Sequence, residues 1–194
     1  MPHILHLAGD EDADRLLADN PFALLMGMLL DQQIPMEVAF SGPAKVNERL
    51  GDVDPGHIAA MDADELTAVF AEKPAVHRFP SSMAKRVHKL AEAIASDYDG
   101  VASRLWTDGD PDGKQILKRL KALPGFGEQK AKIFLALLGK QFGLDAAGWR
   151  EAAGAYGDDD AHMSIADVTD EDTLLQVRAY KKEQKAKAKA ATSG

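Results

Sequence analysis

The sequence predicts an all-α protein, and three observations predict it. No segment sustains the apolar/polar alternation of a half-buried strand, aromatic residues make up only 6% of the chain, and apolar residues recur at helical spacing through most of its 194 residues. With 45% hydrophobic residues the chain can bury a core of ordinary size and fold alone.

The elements follow in order. Asn20-Pro21 reads as an N-cap followed by proline at the first helical position, where its missing N–H costs nothing. It opens Phe22 to Leu30, apolar all round and so a core helix, which the polar Asp31-Gln32-Gln33 ends. Pro35 to Leu50 reads as an amphipathic helix carrying Val38, Phe40, Val46 and Leu50, with Gly42-Pro43 a point at which it can kink or divide. Asp54-Pro55 and Asp62 each start a short helical segment, the second holding Leu66, Val69 and Phe70. Two prolines mark residues 73–82 as a connecting loop, before a helix from about Ser82 to Tyr98 that has a basic side. A second loop, Thr107 to Gly113, precedes a helix over Lys114 to Ala122 with Ile116, Leu117 and Leu120 as its apolar stripe. After a tight glycine turn comes another helix. Residues 145 to about 156 read as one more, 157–172 as an acidic, loop-rich segment, and Asp170 to Lys182 as a last helix. The Lys- and Ala-rich stretch from residue 181 to the end reads as a basic, disordered tail.

Composition excludes several chemistries. The chain has no cysteine, which rules out disulfides, thiolate zinc sites, cysteine-ligated iron–sulfur clusters and a cysteine nucleophile. Its six histidines show no metal-ligand spacing, and Asp158-Asp159-Asp160 lacks the interleaved ligands of a calcium loop, so no metal site is expected. No apolar run approaches the roughly 20 residues that span a bilayer, and the N-terminus lacks the basic-then-apolar pattern of a secretory signal. The expected location is therefore cytoplasmic, with no membrane partner. The net charge of −8 argues against a polyanion partner, but its distribution does not. Between Lys73 and Lys140, 13 Lys and Arg stand against 7 Asp and Glu, a local +6, so the rest of the chain carries −14. Such segregation points to a nucleic acid or to a solvated basic helix face.

The most informative stretch is Leu123-Pro124-Gly125-Phe126-Gly127-Glu128-Gln129-Lys130-Ala131-Lys132, with helical patterns on both sides. Two glycines directly before a helix let the backbone turn tightly and bare consecutive N–H groups at the helix's positive end, which makes an anion grip. Leu123 and Phe126 would face the core, while Lys130 and Lys132 add positive charge near a bound phosphate. The same glycines could serve only as a helix–helix turn.

The full string, L-P-G-F-G-x-x-x-A between two helices, resembles the helix-hairpin-helix of the HhH-GPD superfamily of base-excision DNA glycosylases, endonuclease III among them. Asn20 to Gln33 is similar to that family's early core helix, which ends in a polar turn containing glutamine, and order and spacing agree from about residue 20 to residue 156. The resemblance implies a glycosylase domain over residues 1–180, built as two interleaved helical subdomains with a DNA-binding cleft between them.

The resemblance also implies roles. The family's essential acid lies downstream of the hairpin at the start of the next helix, and Asp145 fits by position and chemistry, with Arg150 five residues on as in the family pattern. As an N-cap, Asp145 would be held as an anion, suited to the cationic sugar that develops as a glycosidic bond breaks. It could equally be a plain cap. Bifunctional members carry a Schiff-base lysine where this chain has Gln129, and an amide cannot attack the sugar. Lys130 is one step along, turned about 100° away on a helix. A monofunctional glycosylase that uses water is therefore expected. The Gly125 and Gln129 amides and their neighbours would hold a phosphate. Gln33 would fill the gap left by an extruded base or be only a polar helix end, Phe79 would wedge against the opposite strand or anchor its own loop, and Arg78, Lys85, Arg86 and Lys89 would contact phosphates or form a solvated face. The family's iron–sulfur cluster must be absent. Its hairpins can hold a monovalent cation through backbone carbonyls, and whether this one does stays open. The expected partner is duplex DNA with a damaged or mispaired base, bound by a monomer associated with the nucleoid. The alternative is a non-catalytic helix-hairpin-helix protein that recognises distorted DNA.

Overall fold

A computed structural model describes residues 4–193, and among them every regular element is a helix. The first, α1 (Glu11–Asp19), was not expected from apolar spacing. It is set by its cap, since the Asp10 carboxylate accepts from Ala13 N–H and Glu11, Asp12 and Asp14 fill the first turn at the positive end of the helix. Asp14 turns inward and accepts from Leu7 and Ala8 N–H, both at 2.8 Å, pinning the segment before α1.

Helix α2 (Pro21–Leu30) is buried from Phe22 to Leu30, and the Asn20 side chain caps it through Phe22 and Ala23 N–H. Around it pack α1, α3 (Met36–Leu50) and α6 (Pro80–Asp97), while α4 (Pro55–Ala60) and α5 (Ala63–Ala71) lie against α6. Helix α3 continues through Gly42-Pro43 and is not divided there. Gly42 is fixed by packing there, because a Cβ would stand 2.7 Å from Leu30. Val38, expected on the apolar stripe, is exposed.

The second group is built on α9 (Glu128–Gln141), with α8 (Gly113–Lys121) and α10 (Trp149–Ala153) against it and α7 (Arg104–Thr107) beside α8. Phe134 of α9 meets Trp106 and, edge-on, Phe126 at ring separations of 5.8 and 6.2 Å. Trp149 is stacked so closely that a Cβ on Gly139 or Gly113 would lie 2.5 Å from it. The acidic segment expected as loop is tied down by 3-10 turns at Gly154–Gly157 and Ile165–Asp167. Lys140 bridges to the buried Asp167 at 2.5 Å, and the Gln141 amide donates to the Ala166 carbonyl. Both helix groups share one continuous core.

Two expectations fail on helix boundaries. Residues 145–156 are not one helix: Asp145 lies in a loop and α10 starts only at Trp149, after Gly148 in the left-handed region. The stretch after Lys181 is helical as well, since α11 (Glu171–Thr192), capped by Asp170, runs through it. Alanine and lysine are strong helix formers, and that propensity carries the helix past its last packed turn.

Candidate functional site

The hairpin joins α8 to α9. Leu123 and Phe126 are buried as expected, and Phe126 N–H closes the turn on the Leu123 carbonyl at 3.1 Å. The two glycines differ. Gly125 has φ +82, and a Cβ there would stand 3.0 Å from Leu29, so the fold itself demands glycine. Gly127 has φ −76, a conformation open to any residue, and a Cβ there would meet nothing within 4 Å. It is the N-cap of α9 and offers no side-chain acceptor. The first hydrogen bond along α9 is Ala131 N–H to Gly127, so the N–H groups of Glu128, Gln129 and Lys130 make no hydrogen bond among the described residues. With Gly127, Glu128 and Gln129 exposed, the positive end of a 14-residue helix is open to solvent.

The lysines expected to reinforce this end do not both face it. Lys130 turns inward: its ammonium donates to the carbonyls of Met28, Leu29 and Asp31 at 2.5, 3.1 and 3.2 Å. It thereby caps the C-terminus of α2, satisfying orphan carbonyls at the negative end of that helix. Burial pulls its pKa from 10.5 to about 8, against the opposing pull of Asp31. The expectation that Lys130 meets phosphate is corrected to a structural tie between the hairpin helix and α2. Lys132 is partly buried and pairs with Glu128 at 3.6 Å.

That tie brings the hairpin against the turn between α2 and α3. Gln33 is exposed in this turn with φ +61, a strained conformation for a residue with a side chain. Gln32 accepts from Arg86 at 2.9 Å. His77 is buried beside the turn with Nε2 at 3.1 and 3.0 Å from the carbonyls of Leu30 and Gln32, while Nδ1 accepts from Phe79 N–H at 3.0 Å. Those partners fix the neutral, Nε2-protonated ring, and burial lowers its pKa. His77 thus fastens the 73–79 loop to the α2–α3 turn. It also presents Phe79, 40% exposed, with the Arg78 guanidinium 5.4 Å from its ring centre. Lys85 is exposed on α6 and makes no ion pair among the described residues.

Asp145 is exposed in the loop between α9 and α10, and its carboxylate has no partner among the described residues. It caps no helix, which corrects the reading of it as an N-cap: Gly148 holds that position, and the preceding chain is held by Gly113 N–H donating to the Ala147 carbonyl at 2.8 Å. Arg150 stacks on Trp149 at 4.5 Å and pairs with Asp159.

Sequence reasoning missed two members of this region. Tyr156 accepts from the Gln129 amide at 3.0 Å, bringing the 3-10 turn after α10 to the start of α9, and no local motif connects residues 27 apart. Asp31 is the other: burial raises its pKa despite nearby Lys181 and Lys130. In sequence it is only a polar helix end, because the cations it faces come from α9 and α11.

The model of the HhH-GPD superfamily of base excision DNA repair proteins matches residues 26–193, a span that holds the α2–α3 turn, the hairpin, Asp145 and α11. No curated protein and no solved structure matches the chain.

Proposed function

The chain belongs to the HhH-GPD superfamily of base excision DNA repair proteins, and on that premise we propose that it is a monofunctional N-glycosylase acting on a damaged or mispaired base in duplex DNA. The observation that carries the monofunctional reading is the pair Gln129 and Lys130. Gln129 offers an amide to Tyr156, and the adjacent lysine spends its ammonium on the end of α2, so neither supplies a free amine for a Schiff base.

The remaining residues divide the work. The bare N–H groups at the start of α9 receive a backbone phosphate, and the unobstructed Gly127 lets it approach closely. Gln33, exposed on its strained turn, enters the stack as the target base leaves, and Phe79 presses on the opposite strand. Arg78 and Lys85 meet phosphates nearby. The base departs with the bonding electrons of the glycosidic bond, and the sugar carbon becomes cationic. The Asp145 carboxylate stabilises that cation and takes a proton from the water whose oxygen bonds to the carbon. An exposed carboxylate free of partners among the described residues suits this role better than a sealed cap would.

The test is incubation of wild type and Asp145→Asn with duplexes bearing uracil, 8-oxoguanine, alkylated adenine, hypoxanthine or a mismatch. Cleavage that appears only after alkali and is lost in the variant supports the proposal. Binding without abasic product on every duplex supports a non-catalytic lesion-binding protein, and strand cutting before alkali refutes the role given to Gln129.

A further inference from the structure

The last turns of α11 are at odds with the rest of the chain. From Lys181 to Ser193 every residue is exposed, and none is apolar beyond alanine. The buried anchors of the helix, Val177 and the partly buried Leu174, lie upstream, so the end of α11 projects about 18 Å at 1.5 Å per residue with no packing to hold it. Packing normally supplies most of a helix's stability. This projection carries five lysines against Glu183 alone, in a chain whose net charge is −8.

Its placement is specific. Leu174, Val177, Lys181, Lys182 and Lys185 form one wall of a groove of about 400 Å³ whose other wall is Asp31 and Ile34 to Glu37, the turn that holds Gln33. Arg178 is locked to Glu37 across it. Lys181, Lys185 and Lys189 recur every four residues on that side, whereas Lys187 pairs with Glu183 at 3.1 Å. The side chains of Lys181, Lys182, Lys185 and Lys189 make no hydrogen bond or ion pair among the described residues.

We propose that the end of α11 is a phosphate-gripping arm that lies along the DNA strand next to Gln33, a reading that rests on the DNA-binding function above. The absence of apolar side chains excludes a packed protein interface, and unpaired cations in a row fit a polyanion. Lysines about 6 Å apart along one side of the helix can meet successive phosphates of a strand. The arm adds to the hairpin at the α2–α3 turn, which Lys130 ties to α9 and which the α11 lysines face across the groove.

The experiment is duplex binding by fluorescence anisotropy from 50 to 300 mM salt. It compares wild type, the triple variant Lys181→Gln/Lys182→Gln/Lys185→Gln, the same three positions changed to Arg, and Arg15→Gln on α1. Glutamine and arginine keep helix propensity, which circular dichroism verifies. The expected result is a salt slope smaller by about 2–3 in the glutamine variant, at about 0.9 per lost phosphate contact, with affinity at least about tenfold weaker. The arginine variant and Arg15→Gln keep the wild-type slope. An unchanged slope and affinity in the glutamine variant, with wild type binding DNA, overturns the arm and leaves the glycosylase reading standing. No duplex binding by wild type overturns both.

Discussion

Replacing each hairpin glycine in turn by alanine separates what the fold needs from what the ligand needs. At Gly127 the backbone is ordinary and a Cβ meets nothing within 4 Å. Alanine is a poorer N-cap than glycine, but it lowers the entropy of the unfolded chain by about 0.4–1 kcal/mol, so the two effects nearly cancel. Stability should change by less than about 1 kcal/mol, a shift of at most about 2–4 °C in Tm for a chain of this size. DNA binding should not be spared. On the proposed grip the added methyl stands where a phosphate reaches the N–H groups of residues 128–130, and losing one charge-assisted hydrogen bond of about 1.5–3 kcal/mol weakens binding some 10- to 150-fold. At Gly125 the balance reverses: a side chain at φ +82 costs about 1–2 kcal/mol, and the 3.0 Å approach to Leu29 adds repacking. Gly125→Ala should therefore lower Tm by several degrees. Thermal unfolding and anisotropy with a labelled duplex read both quantities. Folded Gly127→Ala that binds with wild-type affinity would refute the assignment of the phosphate grip to the start of α9.

Other expectations follow from the ties around this site. Lys130→Met leaves three helix-end carbonyls without their cation and should destabilise by about 1–3 kcal/mol in denaturant titration, while wild type should give no borohydride-trapped adduct with abasic DNA. His77 is held neutral, so its folded pKa lies below the ordinary 6.5. The stability it contributes is full above that value and declines as pH falls below it, because the unfolded chain then binds the proton more readily. Stability measured against His77→Asn should shrink over that range, and a difference that stays flat would contradict the tautomer. Asp145→Asn, on an exposed loop and with no side-chain partner among the described residues, should unfold within about 0.5 kcal/mol of wild type, so that lost activity cannot be lost folding.

Much of the fold was legible because its signals are local. Asn20-Pro21, Asp54-Pro55 and Asp62 cap helices where the sequence places them, and the burial of Leu123 and Phe126 follows from the hairpin pattern alone. The misreadings have tertiary causes. Periodicity through Ala146 to Tyr156 suggested one helix, but the loop is instead shaped by Gly148 and by the demand of Trp149 for the space above Gly139 and Gly113. Lys130 looked like a phosphate ligand because its partners are carbonyls about a hundred residues upstream, which no spacing rule reaches. The same holds for Tyr156 on Gln129 and for the lysines of α11 beside Asp31. Residues that make the hairpin are contiguous, whereas residues that surround it are assembled by packing.

The most direct test of the central claim measures free base and intact strand in one reaction, with wild-type protein in excess over each lesion duplex. The account predicts that one duplex releases its base in step with the appearance of abasic sites, while its strand stays whole until alkali is added. Tight binding to that duplex with no base released would contradict it.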